Sequence, residues 1–192
     1  MTSSRATTRR AFTLIELIAV MVVVAAIGVI GAMTMQRAAA ANSQVATRGG
    51  LYTEASSAMD RIVRKLQSTP IRPSTDPAQP SIASFTDTTI TFDDQSTITY
   101  DAAAQTITLR DTVAGDTATD TPVLIGYISS FAAAPYDESN NNLFTTLGVT
   151  TLDSTQSGSI RRVSIQFTIT REGQSVTLRT RAFPRCCMAK TG

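Results

Sequence analysis

The sequence predicts an α+β fold: a long N-terminal helix, half of it transmembrane, packed on an antiparallel β-sheet domain. Three patterns predict it. A basic leader runs into an almost wholly apolar stretch over residues 12–35. An amphipathic stretch with apolar residues every three or four positions follows. From residue 82 onward the period changes to two, the signature of half-buried strands. These patterns divide the chain into a leader (1–11), a membrane helix (12–35), the soluble half of that helix (36–68), a proline-rich linker (69–81) and a β-domain (82–192).

The leader carries Arg5, Arg9 and Arg10 and no acid. At about 1.5 Å per residue, residues 12–35 reach roughly 36 Å as a helix, enough for a hydrocarbon core of about 30 Å. Arginines before the span favour a cytoplasmic N-terminus. One acid, Glu16, interrupts the apolar run. An intramembrane carboxylate costs about 2.5–3.5 kcal/mol on insertion scales, so such a residue points to function. Ala25, Gly28, Gly31 and Ala32 recur at helical spacing; that stripe either permits close helix–helix approach or reflects ordinary membrane-helix composition. Ala38-Ala39-Ala40-Ala41 also offers the small residues of a secretory cleavage site, with the mature chain starting near Asn42. The length of the apolar run and the position of Glu16 count against that alternative.

In the soluble half, Tyr52, Ala55, Met59, Ile62 and Leu66 form the expected apolar stripe, with Glu54, Asp60, Arg61, Arg64 and Lys65 mostly on other faces. Gly49-Gly50 predicts a kink or short break, each glycine costing about 1 kcal/mol against alanine. Pro70 ends the helix, and Pro70, Pro73, Pro77 and Pro80 predict an irregular linker. Residues 88–92, 97–100 and 106–109 then alternate polar and apolar, with Ile90, Phe92, Ile98, Tyr100, Ile107 and Leu109 on the inner face. Residues 93–96 and 101–105 are the turns of this meander. Residues 123–128 predict one buried strand, and 132–158 a long loop. Residues 160–171 and 175–183 predict a hairpin around Glu172-Gly173-Gln174, with Val163, Ile165, Phe167 and Ile169 alternating on one arm and Val176 and Leu178 on the other.

Composition excludes several functions. The chain has 17 basic and 15 acidic residues; without the three leader arginines its balance falls from +2 to −1, which gives no electrostatic footprint for nucleic acid. It has no histidine, so the commonest general base and metal ligand is missing. No Gly-x-Ser-x-Gly elbow is present, and no catalytic residue and no enzyme activity are expected. No cofactor or metal is expected either. The Asp137-Glu138-Ser139-Asn140-Asn141-Asn142 loop offers the oxygen ligands calcium takes, but it lacks EF-hand spacing, so calcium there is the weaker alternative. Cys186 and Cys187 are adjacent and cannot close a long loop; a vicinal disulfide, two free thiols and intermolecular cross-links all stay open.

The segment Phe12-Thr13-Leu14-Ile15-Glu16, preceded by Arg9-Arg10-Ala11, resembles the N-terminus of type IV prepilins and type II secretion pseudopilins. The resemblance implies a pilin-like fold, and a membrane-embedded prepilin peptidase that cuts between Ala11 and Phe12 and N-methylates Phe12. The family usually has glycine before the cut, where this chain has Ala11. Glu16 would neutralise the new amine of a neighbouring subunit and set the axial register. Two unit charges 4 Å apart attract by about 4 kcal/mol at an effective dielectric of 20, which offsets much of the burial cost. The resemblance also implies other pilin or pseudopilin subunits and an inner-membrane assembly platform as partners, with the β-domain outside the cytoplasmic membrane before the subunit enters the filament. Met33-Thr34-Met35 stands near where many major pilins carry a proline. The closing hairpin, 162–167 with 176–181, resembles J-type minor pseudopilins and the related W-type minor pilins. A minor subunit of a tip complex is therefore expected ahead of a major pilin. The rivals from other classes are a secreted or membrane-tethered β-domain that binds without polymerising, and a secreted enzyme.

Overall fold

The computed structural model describes residues 13–72, 78–111 and 122–184. The chain divides into two units, one ending at Ala46 and the other starting at Thr47, and a single helix, α1 (Leu14–Gln67), runs from the first into the second. Of the expected kink or short break at Gly49-Gly50, the break is absent: α1 is continuous through both glycines, and Thr53 Oγ1 donates to the Gly49 carbonyl at 3.0 Å. Two glycine penalties of about 1 kcal/mol each are small against the packing that begins one residue later.

In the first unit every described side chain of α1 is exposed. In the second unit the same helix buries Leu51, Ala55, Ala58, Met59, Ile62 and Leu66. The expected stripe therefore holds from Ala55 onward and is wrong at its start. Tyr52 is 56% exposed, and Leu51 takes the inner position at 3%. Leucine and tyrosine fit the spacing equally well from sequence; tyrosine keeps its hydroxyl wet by facing out.

The helix ends where Ser68 Oγ and Thr69 Oγ1 both donate to the Lys65 carbonyl. The described residues on either side of 73–77 pair with one another. Ile71 and Pro80 form an isolated antiparallel bridge, and Ser81 N–H donates to the Pro70 carbonyl at 3.0 Å. Arg72 clasps the Asp93 carboxylate through Nε at 2.8 Å and Nη2 at 3.0 Å, and also donates to the backbone carbonyls of Ile82 and Ser154.

The β-region contains β1 (Ile82–Thr86), β2 (Thr89–Phe92), β3 (Thr97–Asp101), β4 (Thr106–Arg110), β5 (Val123–Ile125), β6 (Ile128–Tyr136), β7 (Thr151–Leu152), β8 (Arg162–Arg171) and β9 (Gln174–Ala182). Two short helices, α2 (Leu143–Leu147) and α3 (Ser154–Ser157), flank β7. All strand pairs are antiparallel and form two sheets, one ordered β5-β4-β3-β2-β1-β7 and the other β6-β8-β9. One hydrophobic core joins the helix stripe to the inner faces of both sheets, through Phe85, Phe92, Ile98 and Ile107 of one and Ile165 and Phe167 of the other. Tyr100 and Phe131 stack between the sheets with centroids 5.4 Å apart, which leaves Tyr100 half-buried instead of fully inside.

The expected meander and the final hairpin are present. Asp94 Oδ1 accepts the Ser96 N–H at 2.9 Å in one turn, and Asp101 Oδ1 accepts those of Ala103 and Ala104 in the next. The hairpin turn is two residues, Glu172 and Gly173, both left-handed at φ 52° and 73°. That is the twist-matched turn for a two-residue loop, and it puts Gln174 into β9.

Three departures from the sequence pattern have identifiable reasons. Strand β1 escapes the period of two because a bulge between Ile82 and Ser84 shifts its phase, so that buried Ile82 and Phe85 lie three apart. The expected strand at 123–128 is split between the two sheets, because Tyr127 turns the chain at φ 60°. The expected loop at 132–158 instead holds most of β6, then α2, β7 and α3. Ala132-Ala133-Ala134-Pro135 has weak strand propensity, but proline is tolerated on an outer strand, and β6 borders its sheet.

One polar cluster ties the helix to the six-stranded sheet. Lys65 Nζ lies 2.7 Å from Asp111 Oδ1 and 3.2 Å from Asp94 Oδ2, and 5.3 Å from the Phe92 ring centroid. Burial alone would lower the Lys65 pKa, but its bonds to Asp111 and Asp94 outweigh this and raise it above the ordinary lysine value. Burial likewise pushes Asp94 up, and hydrogen bonds from Ser96 and Lys65 more than reverse it.

Candidate functional site

Glu16 sits in the first turn of α1. Thr13, just before the helix, and Glu16 bond reciprocally: Thr13 Oγ1 accepts the Glu16 N–H, and Glu16 Oε2 accepts the Thr13 N–H, each at 3.4 Å. This is a capping box, in which two otherwise orphan donors of a helix start find side-chain partners. Both bonds are at the long end of the range, so they hold the carboxylate weakly. Thr13-Leu14-Ile15-Glu16 carries the Thr-x-x-Glu signal for this motif, which the apolar setting of Glu16 obscures.

Around the carboxylate the surface is apolar and uncovered. Leu14, Ile15, Leu17 and Ile18 are exposed, as are Val20, Met21, Val22 and the other large apolar side chains to Met35. Helix α1 is long and apolar enough to cross a membrane, and none of its most apolar window is buried. A soluble core helix with this composition would be covered; this one presents about 33 Å of apolar surface between Leu14 and Met35. Glu16 has no ion-pair partner among the described residues. The arrangement presents one loosely held carboxyl group on an exposed apolar helix.

Ala11 and Phe12, the expected processing residues, lie outside the described residues, as do Cys186 and Cys187. Gly28 and Gly31 have open space where a Cβ would stand, so the small-residue stripe is bare. In the acidic loop, Asp137 already serves the chain: its carboxylate accepts the Asn141 N–H at 2.8 Å and Nδ2 at 3.1 Å. The Asn141 backbone bond, chiefly, holds the Asp137 pKa below its ordinary value. Asn140 adopts φ 66° and accepts from Arg162, whose guanidinium also lies 4.4 Å from the Tyr136 ring. The loop is thus organised by its own hydrogen bonds, and no cluster of three metal-binding side chains occurs among the described residues.

No protein-family model matches the chain, and no curated protein matches its sequence.

Proposed function

We propose that this chain is a minor pilin or pseudopilin, a structural subunit carried into a type IV pilus or type II secretion pseudopilus by its N-terminal helix, with a place near the tip. The observation that carries the proposal is the lone, loosely capped Glu16 in the first turn of an otherwise bare apolar helix. That helix continues without a break to Gln67, and one stripe of it, from Leu51 to Leu66, is buried. A subunit of this kind enters the membrane through the apolar half and leaves it by exchanging lipid for the helices of its neighbours.

Processing by a prepilin peptidase between Ala11 and Phe12 would create the cation that Glu16 lacks. N-methylation of Phe12 leaves that amine charged. The acceptor carboxylate then belongs to the next subunit, and the pair fixes the stagger. The partners are the peptidase, other pilin or pseudopilin subunits and an inner-membrane assembly platform, and no catalysis by this chain is required. The rival, an ordinary signal peptide cut near Asn42, is opposed by the length of the apolar run and by the position of Glu16 within it.

The test is the N-terminus and intact mass of the protein from its native membrane. A chain starting at methylated Phe12 supports the proposal, and one starting near Asn42 defeats it. Glu16→Ala, in turn, should leave export intact and remove the subunit from filaments.

A further inference from the structure

Two sheets have four outer strands, and three of them are short or occupied. Strand β7 is two residues long with α3 against it, and β5 is three residues long. Strand β6 gives its outward groups to the other sheet, Ala133 N–H donating to the Asp87 carbonyl at 3.2 Å and Ile128 N–H to that of Gln105 at 2.9 Å. Strand β9 is nine residues long, and among the described residues no backbone bond reaches its outer side. Natural sheets seldom leave so long an edge open.

The register identifies what the edge offers. The two-residue turn makes Arg171 and Gln174 a hydrogen-bonded pair, and pairing alternates from there. Gln174, Val176, Leu178, Thr180 and Ala182 therefore point their N–H and C=O groups at β8. Ser175, Thr177, Arg179 and Arg181 point theirs outward, over roughly 20 Å of strand. The side chains of these four residues are exposed and lie on one face. Their cross-strand neighbours on β8 are Thr170, Thr168, Gln166 and Ser164, so β8 places no carboxylate opposite the two arginines. Neither Arg179 nor Arg181 has an ion-pair partner among the described residues.

We infer that β9 is a docking edge for an extended acidic segment of a partner protein, which adds as a fourth strand to the β6-β8-β9 sheet. Backbone bonds to Ser175, Thr177, Arg179 and Arg181 hold it, as in other strand-addition complexes. Carboxylates two residues apart on the added strand meet Arg179 and Arg181. Charge selects this occupant over a second copy of the chain: another β9 brings its own arginines alongside, and like charges across a strand pair destabilise it.

The experiment uses the full-length protein in detergent micelles and a fluorescein-labelled octapeptide of alternating glutamate and threonine. Saturable binding is expected, with the carbon-13-labelled peptide showing an amide I band of sheet structure. Arg179→Glu with Arg181→Glu should weaken binding by about tenfold or more and turn the preference to a lysine–threonine octapeptide. Thr177→Pro removes one outward N–H and the hydroxyl contact to Thr168, leaves the backbone bonds to β8 in place and should abolish binding. Unchanged melting temperatures establish that both variants fold. The inference is overturned by no saturable binding to the unaltered protein, or by binding that survives Thr177→Pro. A concentration-dependent dimer that Thr177→Pro dissolves would also overturn it, because the occupant would then be a second copy.

Discussion

Replacing Ile62 with alanine tests which face of α1 carries the domain. Ile62 is fully buried in the stripe that meets both sheets. The change removes three carbons from a closed site, and such truncations cost about 2–5 kcal/mol, the spread reflecting how far the surroundings collapse. For a domain of this size each kcal/mol lowers the melting temperature by roughly 3 °C, so the variant should melt about 6–15 °C lower. Tyr52→Ala is the matched control. Tyr52 is in the same helix but faces out, and its loss should change stability by no more than about 0.5 kcal/mol. Both are read by the near-ultraviolet circular dichroism of the tyrosines on heating, since the chain has no tryptophan. If the two variants melt together, or Tyr52→Ala is the worse, the assignment of the inner face is wrong.

The Lys65 cluster makes stability depend on pH at both ends. Asp94 has a lowered pKa when folded, so its contribution is complete above the unfolded value near 3.9 and disappears as pH falls through the lower folded value. Lys65 has a raised pKa, so its contribution is complete below about 10.4 and is lost as pH rises beyond that. Lys65→Met should therefore cost about 1 kcal/mol at neutral pH and flatten the alkaline limb of a melting-temperature profile; an unchanged alkaline limb would remove Lys65 from the account. Gly173→Val forces a β-branched residue into φ 73° and should destabilise the last hairpin by about 1–2 kcal/mol, visible as faster amide exchange in β8 and β9. Thr13→Ala and Glu16→Gln separate capping from register. The first should fray the opening turn of α1 by about 1 kcal/mol yet leave filament incorporation intact, whereas the second should abolish incorporation. Loss with Thr13→Ala but not with Glu16→Gln, which keeps the capping box, would mean that Glu16 acts only through the cap.

The features legible without coordinates are those set by near neighbours along the chain. The apolar run to Met35, the end of α1 before Pro70, the β2-β3-β4 meander and the β8-β9 hairpin all follow from local period and turn chemistry. Glu16 stands out for the same reason, as one charge in an apolar helix. Its bond to Thr13 is legible too, in a four-residue pattern. Tertiary structure decided the rest. A bulge put Ile82 and Phe85 on one face, a left-handed Tyr127 sent consecutive apolar residues into different sheets, and packing chose Leu51 over Tyr52. It also drew Lys65, Asp94 and Asp111 together from three separate elements, and it left β9 as the long open edge among the described strands. Sequence period reports which way a side chain points from its own strand or helix; which element lies opposite depends on contacts between distant residues, and no local pattern encodes those.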